Sequence, residues 1–296
     1  MKLADLLSTA RTVRILDIGR DQELASDIQA RLSALGLLDP PADGLFGPVS
    51  RWALSCFLAV TDREDRTVLD SHLVRDLLNS DPEELFPVLP GDDLVGRVVR
   101  AMSRRGDWIA RHPKCVNIVY VEGMDPDGTP NDNAGNVFND LRIAFRISDT
   151  GVPEALGVWG GTAEPSRYWT ENPMNAKGAA RIAFAQFKAW ALGVHHPNLP
   201  SAHEALVQVR PIKVYRDLDK DFKRSNDRTE VGLFYVNQHW GYDNPRGDMG
   251  NSGAGCLVGR TKTGHREFMK IVKTDVRFVP VKSYIFVTSV LPAELV

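Results

Sequence analysis

The chain has little cysteine: Cys56, Cys115 and Cys256 are odd in number and far apart among 296 residues. That scarcity excludes a complete disulfide framework, and the lack of any CxxC pair excludes a zinc knuckle. At least one thiol is free unless it pairs between chains. A surplus of either charge is also missing, since 36 Lys and Arg against 38 Asp and Glu leave a net charge of -2. Nucleic acid is therefore not expected as the main partner, because gripping phosphates needs a basic excess. No apolar run is long enough to span a bilayer. The opening MKLADLLSTARTVRIL places Asp5 and Arg11 where a secretory apolar region would run. The expectation is a chain made in the cytoplasm without a signal peptide and without a membrane span. No internal repeat or low-complexity tract is visible.

What is present is ordinary for a protein with a proper core: 43% hydrophobic and 25% charged residues. The length suits two domains. Leu24, Ile28, Leu32 and Leu35 recur at helical spacing before Gly36. Pro48 opens a second helix burying Val49, Trp52, Ala53 and Phe57, and a third carries Leu73, Val74, Leu77 and Leu78. Residues 79–92, rich in proline and acid, read as a linker. Asp92 or Asp93 then caps an amphipathic helix through Leu94, Val95, Val98 and Met102. Beyond it the period changes to that of strands, at Val116–Val121, Leu141–Ile147, Ala155–Trp159, Ala205–Tyr215, Val231–His239 and Ser283–Val290. One late helix spans Thr263–Lys273. The predicted architecture is α+β, helical first and mostly β afterwards.

The first motif is Ile28-Gln29 and Leu35-Gly36, then Asp43-Gly44-Leu45-Phe46-Gly47, then Trp52-Ala53 and Phe57. It resembles the three-helix peptidoglycan-binding domain of wall hydrolases over roughly residues 21–80. The resemblance implies a wall-binding role for Asp43, Gly44, Phe46 and Gly47. The loop's glycines would let backbone amides face a groove that takes stem-peptide carboxylates. Ser50 and Leu58 stand where that family has Thr and Gln.

The second motif is Asn237-Gln-His239-Trp240-Gly241, followed by Ser252-Gly-Ala-Gly255-Cys256-Leu-Val-Gly-Arg260. A thiol nucleophile needs a base within reach, and His is the base that titrates near neutral pH. Gly255 leaves the approach open, and the amides of Gly255 and Cys256 are candidates for holding an oxyanion. These residues resemble the active site of L,D-transpeptidase-like (YkuD-type) cysteine enzymes, over roughly residues 116–296. The resemblance implies a β-rich sandwich, Cys256 as nucleophile and His239 as base, with sulfur roughly 3 to 4 Å from an imidazole nitrogen. Arg260, Ser252, Gly241 and Trp240 are then assigned to substrate binding. Gly160-Gly-Thr-Ala-Glu-Pro165 looks like that family's hairpin. Gly253 occupies the family's Ser/Thr position, and Val258 its common Arg position.

Two further groups receive plainer readings. His195, His196 and His203 lie among prolines with no helix-spaced ligand pair, and are expected to be solvated loop histidines, not a metal site. Asp217, Asp219 and Asp221 resemble the start of a calcium loop, but Phe222 and Arg228 replace its Gly and Glu, so a solvated hairpin is expected. The whole reads as an α+β, two-domain chain: a peptidoglycan-binding-like helical domain (1–80), a linker and connecting helix (81–115) and an L,D-transpeptidase-like domain (116–296). The expected function is endolysin-like, a cysteine peptidase cleaving stem-peptide amides of peptidoglycan without a cofactor or metal. It would reach the wall through a phage or injection-system delivery partner. The alternatives are an L,D-transpeptidase and a non-catalytic wall-binding structural protein.

Overall fold

The structure, a computed structural model, describes residues 1–9, 11–61 and 67–296. In the N-terminal region, helices α1 (Gln22–Ala34), α2 (Pro48–Val60) and α3 (Ser71–Asn79) share one apolar cluster with two short strands, β1 (Val13–Arg14) and β2 (Val68–Leu69). The predicted stripe of α1 is its buried face, with Leu24, Ile28 and Leu32 fully covered. Asp21 and Asp70 cap α1 and α3 by accepting from the N–H groups of Leu24 and Leu73. The tract read as a linker contains a short helix, α4 (Pro82–Leu85). Helix α5 (Leu94–Arg105) follows, capped by Asp93, whose carboxylate accepts from Gly96 N at 2.7 Å.

The remainder is a closed eight-stranded barrel with a three-stranded sheet beside it, not the expected sandwich. Its strands, in sequence order, are β3 (Asn117–Glu122), β4 (Asp140–Ile147), β5 (Pro153–Thr162), β6 (Ala179–Ile182), β7 (Gln186–His195), β8 (His203–Gln208), β9 (Ile212–Asp217), β10 (Arg228–Gly232), β11 (Gln238–Trp240), β12 (Leu257–Gly259) and β13 (Ile285–Pro292). The barrel runs β11-β12-β5-β4-β3-β13-β7-β8, and Gln238 pairing with Leu206 closes it; β10-β9-β6 form the extra sheet. The pairs β11–β12 and β13–β3 are parallel. Alternate residues of β3 serve two cores: Ile118 and Tyr120 pack with helix α7 (Lys262–Val272), whereas Val119 and Val121 pack under α5.

Several expected strands are divided or new. Ala205–Tyr215 breaks into β8 and β9 at Pro211, which has no N–H to give a ladder. Val231–His239 breaks into β10 and β11 because the N–H groups of Phe234 and Val236 donate to the Gln208 side chain, both at 3.0 Å. Gly160–Thr162 finishes β5 instead of forming a hairpin, with Gly161 paired to Gly259. Strands β6 and β7 were not foreseen. A short helix, α6 (Arg167–Glu171), lies between β5 and β6.

The helical region touches the connection from α5 to β3 and, through Asp39, the barrel. Ser33 O accepts from Trp108 Nε1 at 3.0 Å, and Gly36 O from Arg111 N at 2.9 Å. Asp39, 2% exposed, accepts from Tyr284 OH at 2.8 Å and lies 2.5 Å from Lys188 Nζ and 3.6 Å from Arg277 Nη1.

Candidate active site

His239 is central to β11, which lies between β8 and β12, and Cys256 ends the glycine-rich loop just before β12. Because β11 and β12 run parallel, with His239 opposite Val258, the two side chains belong to neighbouring elements. Both line one cleft of about 900 Å³. The extra sheet walls it through Ala179, Ala180 and Arg216, and Met174, Val194, Leu233 and Tyr235 are exposed apolar side chains on its lining. Gly255 has a φ of +117°, and a Cβ there would stand 2.3 Å from Ala180 O, so only glycine fits beside the thiol.

His239 Nδ1 lies 2.7 Å from Trp240 O. A carbonyl only accepts, so Nδ1 carries the proton and Nε2 keeps the lone pair. The ring stacks on His195 with centroids 3.9 Å apart and planes 9° apart. Burial, then the neighbouring His195, hold the His239 pKa well below its usual value. Burial pushes the Cys256 thiol up to about 11. The resting pair is thus a neutral thiol and a neutral imidazole. The thiol's hydrogen-bond partner is Tyr235 O at 3.5 Å, and not the imidazole, so the expected sulfur–imidazole hydrogen bond is not made at rest.

The histidines read as loop residues are placed differently. His195 and His203 pair in register on β7 and β8 and are 5% and 7% exposed; only His196 is exposed. Asn237 Nδ2 approaches His195 Nδ1 at 3.0 Å, and an amide N–H must donate there, fixing the proton of His195 on Nε2. Burial brings His195 down to about 3. His203 stacks on Trp240 at 3.7 Å, and His265 of α7 is held between Glu204 O at 2.9 Å and Arg142 Nη1 at 3.2 Å. Burial and the Arg142 charge lower His265 to about 3. These rings form a packed, neutral surround for His239. Sequence missed it because His195 and His203 are eight positions apart and meet only through strand pairing. Among the described residues, the one group of three potential metal-ligand atoms that converges is Asp217, Asp219 and Asp221.

The other predicted substrate-binding positions divide. Ser252 lines the cleft, but its hydroxyl donates to Met249 O at 2.6 Å. Trp240, Gly241 and Arg260 are not on the cleft lining. Gly241 N donates to Gly259 O at 2.7 Å, and Arg260 N to Gly160 O at 3.0 Å. The cleft's guanidinium is Arg216, which sequence reasoning passed over, and its Nε donates to Glu230 at 2.8 Å.

In the N-terminal loop, Gly44 N donates to Gln29 Oε1 at 2.7 Å, and Leu45 N to Asp43 Oδ1 at 2.9 Å. Gln29 Nε2 returns bonds to Asp43 Oδ1 at 2.9 Å and to Ser50 Oγ at 3.0 Å. The amides expected to greet a ligand are therefore already engaged, and Phe46 is buried in the core. Asp43, Gly47 and the exposed Leu45 line a groove of about 570 Å³ against Lys188, Arg210 and Tyr284 of the barrel.

No protein-family model and no curated protein matches the chain. A crystal structure of a fused Zn-dependent amidase/peptidase/peptidoglycan-binding domain-containing protein from Clostridium acetobutylicum ATCC 824 is 12% identical, with a TM-score of 0.29, over 95% of this chain and 100% of that one. A likeness that slight assigns neither fold nor activity.

Proposed function

We propose that the chain is a peptidoglycan-directed cysteine peptidase that cleaves stem-peptide amides, the reading its motif resemblances imply. The observation that supports it is the meeting of Cys256 and His239 on neighbouring parallel elements at one cleft, with the lone pair of His239 directed by the Trp240 carbonyl. In this reading residues 1–80 bind the wall, 81–115 connect, and 116–296 carry the chemistry.

The neutral resting pair defines the first step. His239 Nε2 removes the thiol proton as sulfur attacks the amide carbonyl, so charge appears only as the bond forms. The backbone N–H groups of Gly255 and Cys256 stabilise the tetrahedral oxyanion. The imidazolium then returns its proton to the leaving nitrogen, and the C–N bond breaks to leave a thioester. Water, with His239 again as base, releases the acid and restores the thiol. Burial of the His239 ring disfavours a lasting positive charge on it, which favours prompt return of the proton. The setting is lytic, as for an endolysin or a delivered wall-lytic effector.

The test is digestion of purified sacculi by the full chain, with released fragments identified by mass spectrometry. Cys256→Ala and His239→Ala should each lower turnover by about 10³-fold or more, and the double variant should be scarcely worse. Release at the wild-type rate by Cys256→Ala would overturn the mechanism. New cross-links in place of fragments would replace hydrolysis by transfer.

A further inference from the structure

The cleft that holds Cys256 is almost without charge. Among the described residues lining it, Arg216 is the one Arg, Lys, Asp or Glu, and the buried rings of His195 and His239 are neutral. Arg216 sits on β9 and is 7% exposed, so its guanidinium has little water around it. A charge so placed needs partners. Its Nε donates to Glu230 Oε2 at 2.8 Å, but Glu230 also takes the ammonium of Lys177. Nη1 reaches Gly178 O only at 3.4 Å, beyond the usual range, and Nη2 donates to nothing among the described residues. Arg228 stands directly opposite Arg216 in the β9–β10 ladder, where like charges repel. Among the described residues, Lys177, Arg216 and Arg228 have one carboxylate between them, that of Glu230.

The guanidinium is also held close to the chemistry. It packs over the Phe234 ring with 4.7 Å to the centroid, which fixes its plane. Arg216 pairs with Ala180 in the β6–β9 ladder, and the Ala180 carbonyl is what abuts Gly255, beside the nucleophile. Directly paired strand residues are about 5 Å apart, so Arg216 is one strand's width from the residue that touches the thiol's loop.

We propose that Arg216 is the specificity-determining residue of this cleft and binds a free carboxylate of the peptide substrate, next to the scissile amide. The inference rests on the peptidase reading for the bond that is cut. A carboxylate matches the planar edge of a guanidinium through two parallel N–H···O bonds, here from Nη1 and Nη2. It also offsets the positive charge that Glu230 alone leaves unbalanced. Among the described residues the lining has no acidic side chain, so a substrate ammonium finds no counterpart there. The cleft therefore selects the carboxyl-bearing part of a peptide, with small or apolar side chains against Met174, Val194, Leu233 and Tyr235. Two sources share this chemistry: the carboxylate of a chain end and that of an acidic residue within the chain.

The test is calorimetric titration of the full chain carrying Cys256→Ala, which binds without turnover, with three synthetic stem peptides. One has every carboxylate free, one is amidated at its C-terminus alone, and one is amidated at its internal carboxylates alone. The free peptide should bind saturably, and one amidated peptide should bind about 10- to 100-fold more weakly, the size of a charge-assisted pair. Which of them weakens identifies the source. Arg216→Gln should abolish the discrimination, and Arg216→Lys, which keeps the charge but loses the fork, should retain part of it. Should Arg216→Gln not fold, Glu230→Gln decides instead. By releasing the guanidinium it should tighten the free peptide and leave the weakened one unchanged, which a purely structural Arg216 would not do; no tightening would then overturn the proposal. Equal affinity for all three peptides, full discrimination in Arg216→Gln, or no saturable binding up to about 10 mM would each overturn it as well. Sacculus digestion by the wild type beside such a result would leave the peptidase reading intact. Discriminating binding without digestion would remove that reading and leave the role of Arg216 standing.

Discussion

The two glycine-bearing loops, 43–47 and 252–256, look alike in sequence and are built to opposite ends. In the first, polar groups close on one another: Gln29 alone joins Gly44, Asp43, Leu45 and Ser50. In the second, a glycine at a φ of +117° holds a thiol on the lining of a large cleft, where its side-chain partners are backbone groups alone, the Tyr235 carbonyl at 3.5 Å and the Asn237 N–H. Glycine in a motif therefore signals a special backbone, and only the partners of its neighbours tell whether that backbone serves packing or access.

The strongest way to break this contrast is to alter the residue on which each loop's geometry rests. Gly255→Ala meets both a forbidden φ and the Ala180 carbonyl at 2.3 Å. Its turnover on sacculi should fall by about 100-fold through misplacement of the thiol. Its unfolding free energy should fall by about 3 kcal/mol from backbone strain alone. Unchanged turnover would show that the loop tolerates a different path. For the N-terminal loop the sensitive position is Gln29. Gln29→Ala strands the buried Gly44 N–H and should cost about 2 kcal/mol in denaturant unfolding, with the fragment-releasing step unaltered. A smaller cost, joined to weaker sedimentation with sacculi, would mean that the loop recognises ligand after all.

The gentlest test sharpens the access side. With the thiol raised to about 11, its ionised fraction grows as pH rises and is slight at neutrality. Iodoacetamide labelling, taken as wild type minus Cys256→Ala, should climb about tenfold per pH unit from 7 to 10. A plateau near pH 7 would instead reveal a resting thiolate–imidazolium pair and remove the neutral-pair mechanism.

Much of this was legible in sequence where the signal is local. Helices α1, α2, α3, α5 and α7 follow from apolar periodicity and caps, and α5 begins where Asp93 can cap it. His239 and Cys256 stood out as a rare base and a rare thiol at a suggestive spacing. Barrel closure was not legible. Strand β7 buries Ala189 and Trp190 on successive faces, so the alternation that announces a strand is missing. Strand β6 contains Arg181, which reads as solvent-facing yet is fully buried because Glu164 and Asp217 pair with it. Arg142 is a harder case, buried at 0% exposure and covered by the rings of Phe268 and Trp159 without a carboxylate partner. Pairings across the chain, such as His195 with His203, depend on register, which no short window contains.

Asp39 gives the N-terminal region a second significance. It leaves the helical part of the chain but spends its charge on Lys188 of β7 and on Arg277 and Tyr284 of the connection between α7 and β13. The helical region is therefore the barrel's counter-ion as well as its neighbour. Separating the two halves would leave the buried Asp39 without its partners and Lys188 without its carboxylate, whereas Arg277 would keep Asp275. A helical region hung on a loose tether would move independently; this one is held against the barrel, so the position of one groove dictates the position of the other.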